Sequence, residues 1–413
     1  MKTEVIQAGP EPSPIAAYLS DAIKAGPYVF PSGVLVATEP TTDPYQSPIR
    51  IQTDLVLQRL AAALEAGGSS LDQSVKLGTY HTDLDELPGY AEVRQRYLGQ
   101  ARPPSTAIEC GLVRQTAVIE IDVIGLVPGS GVSREVIVTD AVPRPVAPYA
   151  QAIRAGPFVF VAGTMATDFR TGVPPEARVP PGLPHFGSAI KRQTAWTLDA
   201  IGRVLEAAGT SLDQVVKAQV MLTDPADFFQ FDEVWRGYFG KGLPARTVLN
   251  AGLVNPGCMI LVDVIAIAPG SGLRKDVITT DLAPIPTIAE SQAVRAGDFV
   301  FVSGLLPTDF QAGLAPEVRI DPNFPRYGSA IKKQVGYILN NLKAVLEAGG
   351  SSLEKVVRVG AYHTELARDL LGAMEVRQQF FPTNPPASTT IQVPKLLVPG
   401  SLFMVDAIAV TND

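Results

Sequence analysis

Cysteine occurs only twice in this chain, at Cys110 and Cys258, and histidine only three times. Two cysteines cannot build a disulfide framework, and the opening stretch "MKTEVIQAGPEP" has no apolar run that could act as a secretory signal. No block of Lys or Arg is present and the formal net charge is −7. The electrostatic footprint of a phosphate-backbone binder is therefore missing, and nucleic acid is not an expected partner. No apolar stretch approaches the roughly 18 residues a membrane helix needs, so the expectation is a soluble protein of a reducing cytoplasm, with no membrane contact. The patterns G-x-x-x-x-G-K-[ST], H-E-x-x-H and G-x-S-x-G are absent too, which removes the usual sequence support for nucleotide, zinc-protease and α/β-hydrolase chemistry. What is present is ordinary globular material, 413 residues with 46% hydrophobic content, ample for well-filled cores.

Internal repetition organises that material. "VPGSG" ends at Gly131 and "APGSG" at Gly272, 141 residues apart. "VKLGTYHTDL", "VKAQVMLTDP" and "VRVGAYHTEL" begin at positions 75, 216 and 357, on the same period. Three copies of one unit fill nearly the whole chain, at 1–131, 132–272 and 273–413, joined by short Pro-Gly-Ser-Gly segments that read as flexible joints.

Each unit has one plan. "RAGPFVFVAGTM" and its counterparts "KAGPYVFPSGVL" and "RAGDFVFVSGLL" are Gly-bounded, β-rich runs. Ile331, Val335, Ile338, Leu342, Val345 and Leu346 recur at helical spacing, and Gly349 is placed to supply a left-handed cap. A strand ("VVKAQVMLT"), a second amphipathic helix ("FFQFDEVWRGYF") and two apolar strands ("ARTVLNAGLV", "CMILVDVIAIA") complete the unit. The pattern predicts an α+β layer with its helices on one sheet face. The open faces of three such layers can bury one another around a pseudo-threefold axis, helices outside.

The ordered set "FVFVSG" or "FVFVAG", "LEAAG", "VVKAQVMLTD", "FFQFDEVWRGYF", "PAR" and "VDVIAIA" resembles the Rid (YjgF) family of reactive-intermediate deaminases, in all three units and best in the second. The resemblance implies a chorismate-mutase-like fold and a homotrimer fused into one polypeptide, an intrachain pseudo-trimer. It also implies ligand clefts between neighbouring units and hydrolysis of 2-imino acids to 2-keto acids and ammonia, with no metal or organic cofactor. A small-molecule substrate is the implied partner.

The family arginine, which binds the substrate carboxylate, matches Arg246; the equivalent stretches "RPPSTAIECG" and "PPASTTIQVP" carry Ser105 and Ser388 instead. A guanidinium pairs both oxygens of a carboxylate, whereas a hydroxyl donates one hydrogen bond without charge. One arginine-bearing cleft is thus expected to keep imino-acid chemistry. The family's last-strand acid is matched to Asp122, Asp263 and Asp406, where it would handle the proton of the attacking water. All three copies keep it, so a shared structural role stands equally beside catalysis. The Ser-Gly loop matches Ser32-Gly33, Ala162-Gly163 and Ser303-Gly304; the family tyrosine matches Tyr18 and Tyr149, with Glu290 in the third unit. Arg246, Asp263, Tyr149 and Gly163 form the expected catalytic set, and Ser32, Ser303, Ser105, Ser388, Tyr18, Asp122 and Asp406 the expected substrate-binding set.

Other polar residues carry plainer readings. His81 and His363 occupy equivalent strand positions, with Leu222 between, and read as polar sheet residues, since two histidines lack a third metal ligand. His185 lies in an insert with a counterpart in the third unit; Lys191 and Lys332 follow it, either as solvent-facing helix starts or as parts of lids. Cys110 and Cys258 read as buried thiols. Two other functions stay open: a pathway hydrolase or deaminase acting on a substrate without a carboxylate in the Ser105 and Ser388 clefts, and a degenerate binding protein.

Overall fold

The computed structural model describes residues 1–9, 17–38, 47–240 and 242–412. Helices α1 (Pro48–Ala66) and α2 (Leu87–Leu98) belong to unit one, α3 (Ala189–Ala207) and α4 (Phe228–Tyr238) to unit two, α5 (Ala330–Ala348) and α6 (Leu366–Phe380) to unit three. In unit two the strand order is Ala245–Asn250, Val215–Leu222, Ile260–Ile267, Phe158–Val161, Ala152–Ala155, Arg134–Ile137. The first two strands run parallel, Ala218 opposite Arg246, because α4 carries the chain back between them; the other pairings are antiparallel.

The apolar spacing in α5 does what it predicts, burying Ile331, Val335, Ile338, Leu342, Val345 and Leu346 against the sheet. The cap differs by one residue. Gly349 keeps a right-handed φ of −79°, and Gly350, at +76°, takes the left-handed position. The helix winds one residue further, and only then does the chain reverse, where the missing Cβ removes the steric cost.

Each sheet has two buried faces. One packs on its own pair of helices; the other meets the other two units in a common core that gathers Tyr28, Phe30, Phe158, Phe160, Phe299 and Phe301. Phe158 and Phe299 sit edge to face at 5.5 Å. Burying one such ring contributes about 1.5–3 kcal/mol, more than the geometry of any single ring pair adds. Strand ends also cross between units. Gly252–Leu253 adds to the edge strand Ser105–Glu109 of unit one, and Gly111–Leu112 to Ala387–Gln392 of unit three. The corresponding position in unit three is Pro394, which has no N–H to donate to a ladder, and no third crossing strand is found among the described residues. No helix among the described residues is long and apolar enough to cross a membrane.

Candidate active site

The strand that carries Ser105, Arg246 or Ser388 abuts the Ser-Gly or Ala-Gly loop of the following unit. The Gly163 amide donates to the Ser105 carbonyl (3.1 Å), the Arg246 amide to Ser303 Oγ (2.9 Å), and the Gly33 amide to the Ser388 carbonyl (3.1 Å). Three clefts follow: one–two, two–three and three–one.

In the two–three cleft Arg246 is fully buried. Its Nη2 lies 2.7 Å from Asp232 Oδ1 and its Nε 3.4 Å from Glu290 Oε2. Phe228, Phe231 and Trp235 surround the guanidinium carbon, with ring centroids 5.2 to 5.5 Å away. The clamp expected to hold a substrate carboxylate is thus occupied by two carboxylates of the chain itself, one of them, Glu290, at the position where unit two has Tyr149. Burial pushes the Glu290 carboxyl up to about 7, against the opposing pull of Arg246.

The three aspartates do not face the clefts. Each bridges to a cation of another unit: Asp263 to Lys76 (2.6 Å), Asp406 to Lys217 (2.9 Å) and Asp122 to Arg358. Each also accepts from a threonine on that same neighbour's cleft strand: Thr106 to Asp263 (2.8 Å), Thr247 to Asp406 (2.7 Å), Thr389 to Asp122 (2.9 Å). This cyclic set of buried bridges ties the units together. The expected catalytic set is accordingly dispersed. Arg246 lies in the two–three cleft, Asp263 on Lys76 in the interior, and Tyr149 and Gly163 in the one–two cleft with Ser105.

Strand alternation explains where the cleft-facing side chain is: two residues earlier, on the same face but one step along the strand. A Cβ at Gly33 would meet Glu120 Oε1, one at Gly163 would meet Leu261 Cδ2, and one at Gly304 would meet Met404 Sδ. Only the three–one cleft therefore has an acid at this place. Glu120 is buried and its Oε2 has no hydrogen-bond partner among the described residues. Burial, and then the charge of Asp122, push its carboxyl up to about 8, opposed by the Thr390 backbone amide.

The arginine missing from two strands is supplied by helices. Arg94 of α2 and Arg377 of α6 each precede their cleft serine by 11 residues, the offset at which Trp235 precedes Arg246. Arg377 Nη2 donates to Ser388 Oγ (3.2 Å), and Ser388 Oγ lies 3.5 Å from Thr390 Oγ1. Arg94 donates to the carbonyls of Pro148 (3.1 Å) and Pro103 (3.4 Å), and its buried Nε has no partner among the described residues. Neither helix arginine forms an ion pair among the described residues, in contrast to Arg246. The swap was legible in the sequence as a complementary exchange, Arg with Ser against Trp with Arg. Glu120 could have been found as the one acid among Glu120, Leu261 and Met404.

The one–two cleft opens into a cavity of about 390 Å³ lined by Tyr90, Arg94, Ser105, Tyr149, Gly163 and Leu261 among others. Burial raises the Tyr149 hydroxyl to about 12, so it acts there as a neutral hydrogen-bonding group. In the three–one cleft Ser32 Oγ accepts from the Ser388 amide at 2.9 Å, and Tyr18 stands partly exposed on the same unit. His81 packs on Tyr90 and His363 on Phe403, in different units, and burial holds both rings down to about 4. Lys191 and Lys332 pair with Glu233 and Glu375 on the exposed surface, and His185 is exposed in its insert. Burial raises the thiols of Cys110 and Cys258, the latter to about 11.

A family model described as Endoribonuclease L-PSP matches the chain three times, at residues 9–127, 139–268 and 280–411. A RutC family protein of Pyrococcus horikoshii is 39% identical over 133 residues, 32% of this chain and 97% of that one. The 3-aminoacrylate deaminase RutC of Acinetobacter baylyi is 32% identical over 133 residues, covering 32% of this chain and 97% of the relative. The 2-iminobutanoate/2-iminopropanoate deaminase of Mus musculus is 28% identical over 138 residues, 33% of this chain and 94% of that protein.

Proposed function

Since the chain belongs to the endoribonuclease L-PSP family as three fused Rid-like units, we propose that it hydrolyses 2-imino or 2-enamino acids to 2-keto acids and ammonia in the three–one cleft. The observation that carries this reading is that Glu120 of unit one and Arg377 of unit three, which forms no ion pair among the described residues, both reach the strand of unit three that lines this cleft, Glu120 at the Thr390 backbone amide and Arg377 at Ser388 Oγ. The names of the deaminase relatives point the same way. The net charge of −7 supports a small molecule over RNA as the substrate.

In this reading Arg377 takes the substrate carboxylate, a charge-assisted contact of about twice the usual hydrogen-bond strength. The cycle starts with Glu120 protonated, the form that its raised pKa maintains near neutral pH. Glu120 gives its proton to the imine nitrogen, or to the β-carbon of an enamine, and leaves an iminium. The resulting carboxylate then takes a proton from water as the oxygen bonds to the iminium carbon. Glu120 relays the proton of the new hydroxyl to the amine; the C–N bond breaks, the C=O bond forms, ammonia leaves and Glu120 is protonated again. No oxidant or reductant is needed. The Arg246 cleft is read as closed, because Asp232 and Glu290 already neutralise its guanidinium.

The test is keto-acid release from 2-iminopropanoate generated in situ by an amino-acid oxidase. Wild-type protein should exceed the uncatalysed rate, and Glu120→Gln and Arg377→Ala should each lose tenfold or more. Equal activity in both variants would assign the chemistry to another cleft.

A further inference from the structure

The one–two cleft holds a charge the protein itself does not balance. Arg94 is 3% exposed, its guanidinium meets two proline carbonyls, and among the described residues its Nε has no partner and no carboxylate pairs with it. A buried cation without a counter-ion is costly, and the corresponding arginine of unit two, on its strand, has two carboxylates. Around Arg94 the cavity wall is largely apolar, with Leu87, Met165, Phe169, Val254 and Leu261 facing about 390 Å³. That space is much larger than a three- or four-carbon acid requires, and Leu261 stands where the three–one cleft has Glu120. There is a place for an anion and an apolar body, but no acid to move a proton.

We propose that the one–two cleft is a second, non-hydrolytic binding site for a monocarboxylate with a bulky apolar body, its carboxylate on Arg94 and the Ser105 hydroxyl and its body along Leu261, Met165 and Phe169. Charge and apolar volume select together: a short acid leaves the cavity unfilled, and a neutral isostere leaves Arg94 unpaired. The inference concerns a different cleft from the proposed chemistry and stands or falls without it.

Titration calorimetry of the full chain with 3-phenylpropanoate tests it, with 3-phenylpropan-1-ol and acetate as matched probes. The acid should bind at least tenfold more tightly than either, and Arg94→Met should weaken it tenfold or more, while Arg377→Met keeps a phenylpropanoate site. Ala91→Phe, which fills the cavity from α2 and leaves the arginine in place, should likewise weaken binding; circular dichroism confirms that both variants are folded. Wild-type affinity in both Arg94→Met and Ala91→Phe would overturn the proposal, as would binding of the alcohol as tightly as the acid. Binding abolished by Arg377→Met alone would overturn it too, by assigning the ligand to the other cleft.

Discussion

Glu120 and Arg246 show how environment rather than residue type sets a role. A carboxyl held at about 8 by burial is protonated at neutral pH, so turnover should fall as pH rises through that value, read as a pH–rate profile that Glu120→Gln abolishes. The same shift affects stability, because the folded state retains a proton that the unfolded chain releases near its ordinary value. Stability from this group is therefore lost progressively as pH rises from about 4.5 towards 8. Glu120→Gln should be neutral below that window and more stable than wild type above it, by at least about 1 kcal/mol, in urea melts at about pH 4 and pH 8.5. Arg246 behaves oppositely. Arg246→Ala takes the paired cation from Glu290 and leaves Asp232 only its contact with the more exposed Arg236 at 3.3 Å; losing one partner of a buried pair costs about 3–5 kcal/mol. Its expected signature is a lower unfolding midpoint with an unchanged rate per folded molecule.

Helix and strand can each deliver the same guanidinium to a cleft, and the surrounding side chains follow that choice. With arginine on the strand, α4 offers Trp235 and Asp232 to enclose it; with serine on the strand, α2 and α6 offer Arg94 and Arg377. Because the two positions compete for one space, they should be coupled. Arg246→Ser and Trp235→Arg should each destabilise alone, and the double variant should recover part of the loss, with a coupling of about 1 kcal/mol or more in a double-mutant cycle of chemical melts. Additive losses would mean that the two positions do not share the space. Strand ends obey a simpler rule: Gly252 lies in a ladder with unit one, and Gly252→Pro removes its N–H, so it should lower thermal stability and hydrogen-exchange protection at Glu109.

Across the whole molecule, three buried bridges and one aromatic core join units that would otherwise be beads on a chain. Burial pushes the Asp406 carboxyl up, but Lys217, the Thr247 hydroxyl and the charge of Arg358 outweigh it and hold the group below the usual carboxylate range. A depressed carboxylate contributes stability above its unfolded pKa and loses it as pH falls through the folded one. Acid should therefore loosen the contact of units two and three below about pH 4, and Asp406→Asn, which leaves Lys217 buried and unpaired, should destabilise by about 3 kcal/mol or more at neutral pH. Calorimetry should give one cooperative transition for the wild-type chain, since no unit buries its inner sheet face alone; three separable transitions would contradict that.

Periodic features needed nothing beyond the chain. The three-fold repeat, the helix faces and the family resemblance are written in local spacing, because a helix or strand buries whatever its period places on one side. The aspartates were visible as buried acids needing partners, and their equivalence in all three units already allowed the bridging role they have. Only the tertiary structure could decide which unit supplies which wall of a cleft, since Gly33 and Ser388 lie at opposite ends of the chain. It also separated Glu120 from Asp122, two residues apart in one strand yet meeting different surroundings, the first beside Gly33 and the second on Arg358. Charge balance is likewise a property of the assembled molecule. Arg246 reads from sequence as the carboxylate clamp, yet packing closes it, because Glu290 and Asp232 reach it, while among the described residues no carboxylate reaches Arg94.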